Sequence, residues 1–275
     1  MKDKSDFVFD SAHKNSHYFR EIINYKDLFY SLAWREYRVR YAQTFLGFIW
    51  ALLQPLATLI IFILVFGKGI GVDTGNIPYP IFALTGLTAW TYFSFVVSAS
   101  GRSIITESGM IKKIFFPRLV IPLSKAFVGI IDFSISFLLL IIAMLYYHLP
   151  LSINILWMPF FLFLILLISV GAGIWISALT IRFRDVQHIV PFFIQIGLYA
   201  TPVAYPTTIL IPEKYQLLYH LFNPLAGLIE GFRWCIIGGE LNTTYLIYST
   251  ILILCIFITS IYYFKKIEVI MADII

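Results

Sequence analysis

Charged residues are scarce in this chain. Of its 275 residues only 13% are Asp, Glu, Lys or Arg, while 60% are hydrophobic and 18% aromatic. A soluble domain carries roughly 25% charge and about 45–50% apolar residues. So few charges cannot coat a soluble surface, and the composition points to a polytopic membrane protein. Cysteine is nearly absent as well. Cys235 and Cys255 are the only two, and Cys255 lies inside an apolar run, which argues against a disulfide framework. No GxxxxGK[ST] phosphate loop occurs, so ATP cannot be bound in that way. The five histidines are scattered with no HExxH. No Asp pair or Asp-rich cluster sits at a membrane edge, as metal-dependent glycosyl transfer to a lipid phosphate would need. Within the spans a single carboxylate, Asp132, stands where a proton relay would show several. These absences argue against an enzyme and against a self-powered antiporter. They leave a passive channel, or a permease driven by a partner. The formal charge of +5 fits positive residues held on the cytosolic side of a membrane better than nucleic-acid binding.

What is present reads as spans and breaks. Residues 1–24 form a polar cytosolic lead-in without the features of a cleavable signal. Tyr25–Tyr41 (YKDLFYSLAWREYRVRY) predicts an amphipathic interface helix, with Tyr25, Leu28, Phe29, Leu32 and Val39 on one face and Arg35, Arg38 and Arg40 off it, suited to lipid headgroups. Glu36 falls inside the apolar face, so either it pairs with a basic residue or the helix docks on protein; a plain basic leader that sets orientation is the simpler reading. Span 1 runs over 45–66, reaching roughly 33 Å at about 1.5 Å per residue. Gln54-Pro55 interrupts it, which suits a helix facing protein or a watery cavity, or marks a simple kink. Span 2 (81–101) is rich in Thr and Ser, whose hydroxyls bond back to their own helix or line a polar path. Span 3 covers 119–147. Lys125 near its inner end can snorkel, and Asp132 lies about 10 Å further along the axis, too far to pair with Lys125 easily. Asp132 either packs against another span or carries function. Span 4 (155–181) carries Ser169, Gly173 and Ser177 on one stripe, a signal for close helix packing. Span 5 (188–205) is short and broken by Pro191, Gly197 and Pro202. Thr207–Thr243 is too punctuated by Pro, Gly and charge for a clean span, and predicts two short helices, about 213–222 and 225–237, dipping into the outer leaflet. Span 6 runs over 245–264, followed by Lys265, Lys266 and a short tail.

Seventeen of the twenty Lys and Arg residues fall in 1–44, 102–125, 182–184 and 265–266; the exceptions are Lys68, Lys214 and Arg233. The bias places both termini in the cytosol, at the cytoplasmic (inner) membrane. The expected organisation is therefore an all-α membrane protein: a cytosolic N-terminus with its interface helix (1–44), a six-span transmembrane domain (45–265) with a re-entrant pair between the fifth and sixth spans, and a cytosolic tail (266–275).

The stretches RVRYAQTFLGFIWALLQPL (38–56), PYPIFALTGLTAW (78–90), KKIFFPRLVIPL (112–123), RFRDVQHIVPF (182–192), TPVAYP (201–206), NPLAGLIEGFRW (223–234) and KKIEVIMADI (265–274), in this order, resemble the membrane subunit of type-2 ABC exporters of polysaccharides, O-antigen permeases above all, with capsule and teichoic-acid permeases beside them. The resemblance implies a homodimer of six-span subunits, each engaging a separate cytosolic nucleotide-binding subunit that carries ATP and Mg; two such subunits serve the dimer, and this chain holds no cofactor. It implies a cargo of polysaccharide on a polyprenyl-pyrophosphate carrier, threaded through a conduit along the first and fifth spans, with the re-entrant pair as outer gate. Aromatic rings stack on sugar faces, and weak repeated contacts permit sliding. On this basis Trp50, Phe192, Phe193 and Tyr199, with Gln54 and Gln195, are the channel-lining candidates. Arg35, Arg38 and Arg40 are candidates for the pyrophosphate head, and Asn223, Pro224, Glu230 and Arg233 for the outer gate.

The polar island Arg102–Pro122 then acquires a role, because ATP-driven motion must enter from outside the chain. Glu107–Phe116 predicts a short helix seated in a partner's cleft, with Met110, Ile111, Ile114 and Phe115 on a roughly common face and Lys112-Lys113 flanking. Glu107 completes this coupling loop. The rival readings are an exporter of this type with teichoic acid, a drug or a lipid as cargo; a channel without an ATPase; and, weakest, a membrane glycosyltransferase.

Overall fold

The computed structural model describes residues 21–42 and 47–274. The lead-in at 1–20 and the entry to span 1 at 43–46 lie outside the described residues. Among the described residues the chain is helical, with no strand.

Helix α1 (Lys26–Tyr37) continues into a π turn, Arg38–Ala42. Its apolar face is used against protein: Leu32 and Ala33 are buried, and α1 packs along α5 (Val120–Tyr146). Regular α geometry would put Val39 on the same face as Leu32. The π turn inserts extra backbone, and the phase slips: Val39 is exposed while Tyr41 is buried.

Among the described residues, five helical stretches are long and apolar enough to cross a membrane: Ile49–Ile70, Tyr79–Thr106, Val120–Tyr146, Ile153–Arg182 and Thr243–Val269. The first comprises α2 (Gly47–Phe62) and a π segment, Ile63–Ile70. Pro55 is buried within α2 and withholds one backbone N–H from the ladder. Helix α3 (Tyr79–Thr106) opens with Pro80 in its first turn, where no intrahelical N–H is lost. A four-residue helix α4 (Ser108–Ile111) follows, then α5, then α6 (Met158–Arg182) and α7 (Val186–Ala200). The expected fifth span, 188–205, is thus a helix of 15 residues, about 22 Å long, followed by non-helical backbone over 201–205. That is shorter than a hydrocarbon core of roughly 30 Å. After α8 (Thr207–Leu210), the pair α9 (Glu213–Phe222) and α10 (Pro224–Ile237) occupies the ranges predicted for two short helices. Helix α11 (Thr243–Ile274) runs unbroken through Lys265 and Lys266.

The bundle is centred on α3, which packs against both α5 and α6, while α6 packs in turn against α11. The Thr and Ser residues of α3 satisfy themselves: Thr85, Thr88, Thr91 and Ser94 donate to carbonyls three or four residues back, and Ser100 donates across to the Pro122 carbonyl of α5. The small residues of α6 permit its double contact. A Cβ at Gly173 would sit 2.6 Å from the Ser100 Cβ, and one at Gly171 would sit 3.0 Å from the Phe257 Cα. Gly173→Val should therefore part α6 from α3 and cost about 1–3 kcal/mol. Thermal unfolding of the purified chain in detergent checks this; an unchanged midpoint would show that close approach is unnecessary there.

Candidate functional site

The six channel candidates lie on α2 and α7, and all six are exposed in the single chain. Trp50, Phe192, Phe193 and Tyr199 are each more than half exposed. The two helices approach one another: the Phe62 and Tyr199 rings lie 6.4 Å apart. Gln54, Pro55, Pro191 and Ile194 share a half-polar cavity of about 340 Å³ with Ser98, Ser136 and the Arg40–Asp132 pair. Helix α7 has no buried residue at all.

At one end of the bundle, charges gather where the sequence left them apart. Glu107 caps α3, is only 6% exposed, and receives Arg35 of α1 in an ion pair. Lys125 of α5, 3% exposed, pairs with Glu36 of α1 at 2.5 Å and lies 4.0 Å from Glu107. Glu36 thus meets a basic residue, as its place in the apolar face required. One turn beyond α1, Arg40 pairs with Asp132 at 2.6 Å, and the Tyr41 hydroxyl donates to the same carboxylate. The Arg40 guanidinium also lies 4.1 Å from the Phe95 ring centroid. The π turn carries Arg40 and Tyr41 to Asp132. Four charged side chains of α1 and its π turn and the α3 cap are thereby tied to one face of α5. Removing one member of a buried pair leaves an uncompensated charge and typically costs about 3–5 kcal/mol.

The same end carries the coupling-loop candidates. The helix is shorter than the predicted 107–116, spanning only Ser108–Ile111. Ile111 points inward, with Met110 partly buried, while Ile114 and Phe115 stand out at 58% and 76% exposure beside exposed Lys112 and Lys113. Phe116 is buried beneath them. Arg118 fixes the loop's exit, donating its backbone N–H to the Glu268 carboxylate (2.7 Å) and its guanidinium to the Glu268 carbonyl (2.6 Å). Of the pyrophosphate-head candidates, Arg35 and Arg40 are engaged in these ion pairs; Arg38 is exposed and in none of them.

The opposite end, where α3 and α11 begin, holds the outer-gate candidates. Arg233 is buried. It donates to Thr85 Oγ1 (3.3 Å) and to the Pro202 and Val203 carbonyls (3.0 and 3.2 Å), under the Phe82 ring at 3.6 Å. It thus satisfies the carbonyls that the broken segment after α7 exposes. Asn223, just before Pro224 opens α10, donates to Thr201 Oγ1 (3.0 Å), and Tyr219 donates to the Ala200 carbonyl (2.7 Å). Both tie the helix pair to the end of α7. Glu230 accepts from the Thr207 hydroxyl and faces His220. His220, Tyr219, Gln216 and Tyr245 were not singled out in the sequence, since a lone His or Gln in an apolar stretch gives no signal before its partners are known.

Helices of this length and hydrophobicity, stacked around a central one, define a polytopic membrane protein. The chain belongs to the ABC-2 type transporter family, which it matches over residues 27–237. It is 31% identical over 252 residues, 90% of this chain and 95% of the relative, to the O-antigen export system permease protein RfbA of Klebsiella pneumoniae. It is 31% identical over 216 residues, 78% of this chain and 82% of the relative, to the RfbA permease of Myxococcus xanthus. The polysialic acid transport protein KpsM of Escherichia coli is 26% identical over 220 residues, 77% of this chain and 82% of the relative.

Proposed function

We propose that this chain is the permease subunit of an ABC exporter that moves a polysaccharide, O-antigen-like and carried on a polyprenyl pyrophosphate, across the cytoplasmic membrane. The observation that carries this reading is the likeness to O-antigen permeases over 90% of the chain, extending through both the open aromatic helices and the loop with its exposed Ile114-Phe115 tip. On this account two copies face one another across α2 and α7, and Trp50, Gln54, Phe192, Phe193, Gln195 and Tyr199 line the path between them. Helix α7 serves as the fifth of six spans, completed by the non-helical segment 201–205, and α9 and α10 form the re-entrant outer gate. Both termini lie in the cytosol, where a separate ATPase subunit grips the loop tip. The ion pairs of Glu107, Lys125 and Asp132 pass its motion to α1 and α5. Of the three arginines, Arg38 is best placed to meet a pyrophosphate head, being exposed and outside the ion pairs.

Deleting the reading frame in its native host should strip the polysaccharide from the cell surface and leave it inside, as read by immunoblot of surface and internal fractions. The wild-type chain should restore surface polymer, and Trp50→Ala with Tyr199→Ala should not, at equal protein level. Normal surface polymer in the deletion strain would overturn the reading.

A further inference from the structure

We propose that the open-sided cavity between α9, α10 and the start of α11 is a binding subsite for a neutral sugar residue. The inference rests on the polysaccharide-export reading and adds a second contact point to it. The cavity measures about 590 Å³, inside the range of roughly 300–1,000 Å³ that holds a small ligand. It lies at the end of the bundle opposite the ion-paired cluster, and none of the six channel candidates lines it.

Its wall is polar and pre-set. His220 is fully buried. Its Nδ1 lies 3.2 Å from the Gln216 carbonyl oxygen, which only accepts, so Nδ1 carries a hydrogen. Its Nε2 lies 3.1 Å from Glu230 Oε2. With Nδ1 holding the ring hydrogen, Nε2 accepts when the Glu230 carboxyl is protonated, and in that form the pair has no net charge. Tyr245 lies against the imidazole, with ring centroids 4.2 Å apart and planes tilted by 42°, and its hydroxyl donates to Gln216 Oε1 at 3.3 Å. The cation bordering the cavity, Arg233, already directs its Nε and Nη2 to Thr85, Pro202 and Val203. At the rim, Glu240 and Asn242 are exposed on the loop that follows two glycines with φ of 77° and 96°. Trp234 adds a half-buried aromatic face.

This combination suits a sugar ring. An indole takes the apolar face of the ring, while carboxyl and amide groups pair with its hydroxyls. The charge balance selects for a neutral sugar. An acidic one would bring a second anion beside Glu240 and meet a cation that is already engaged. Binding must also be weak, because a polymer in transit has to let go.

The complete chain with its ATPase partner, in lipid nanodiscs, is examined by saturation-transfer NMR with free glucose, galactose, mannose and N-acetylglucosamine, and with glucuronic and N-acetylneuraminic acids. At least one neutral sugar should bind saturably with a Kd of about 1–10 mM, and both acids at least about tenfold more weakly. Glu240→Ala, at the exposed rim, should weaken the neutral sugar about tenfold with an unchanged melting temperature. No saturable neutral sugar, equal binding of the acids, or unchanged affinity in the rim variant would each overturn the subsite. If the wild-type chain still exports polysaccharide in that event, the subsite alone falls; absence of any polysaccharide export removes the reading beneath it.

Discussion

Asp132→Leu is expected to lower the stability of the purified chain by about 3–5 kcal/mol and to abolish export. Asp132 is only 7% exposed and receives both Arg40 and the Tyr41 hydroxyl. Its removal leaves a guanidinium, 34% exposed on its side chain, beside apolar α5 with its counter-charge gone. Chemical denaturation in detergent reads the loss, and surface polymer reads the export. The triple variant Arg40→Leu, Tyr41→Phe, Asp132→Leu separates the two effects. Replacing a whole buried ionic group by apolar residues is often neutral or stabilising, so the triple variant should regain most of the lost stability. Export should stay absent, because the polar link between the π turn and α5 is gone. Full export by a stable triple variant would reduce the cluster to packing.

Ile114→Ala with Phe115→Ala should weaken binding of the cytosolic ATPase subunit by about a hundredfold, as measured by surface plasmon resonance on nanodisc-embedded chain. A central apolar anchor in an interface commonly carries about 2–4 kcal/mol. Ile114 and Phe115 are the large apolar residues left standing out of this loop, while Phe116 and Arg118 hold its base in place. Glu107→Lys should act differently. Glu107 turns inward to Arg35 and Lys125, so its reversal should disturb α1 and leave ATPase affinity near the wild-type value. Equal affinity loss in both variants would place the contact elsewhere on the loop.

Much of the fold was legible because long apolar runs and their proline and glycine interruptions are local signals. The pair α9 and α10 could be placed to within a residue because Pro212, Asn223-Pro224 and Gly238 punctuate it. Helix α7 was harder. Its apolar run continues past Ala200, but the helix stops there, since Pro202 biases Thr201 toward extended backbone. The π turn at Arg38–Ala42 had no signature, so Val39 was assigned to the apolar face and the partnership of Arg40 and Tyr41 with Asp132 was not foreseen. The ion pairs made by α1 and its π turn join residues 72 to 92 positions apart, and no local pattern encodes such distances. Asp132 and Lys125 are indeed not partners of each other; each is answered by α1, which runs alongside α5. The loop at 102–122 was singled out by its charge and by the lack of a phosphate loop, but the common face predicted on it does not form. Pro117 and the buried Phe116 end the helix early and turn Ile114 and Phe115 outward.

If this chain conducts a polysaccharide while a separate subunit supplies the energy, the two together suffice for ATP-driven transport. Reconstituting the chain with its ATPase subunit in vesicles, adding carrier-linked polysaccharide outside with ATP, and measuring polymer protected within the lumen tests it most directly. Lumenal polymer should rise with ATP, and should fail to rise when either subunit is omitted or when the ATPase is inactivated. Equal lumenal polymer with the permease chain alone and no ATP would contradict the account and leave a passive channel in its place.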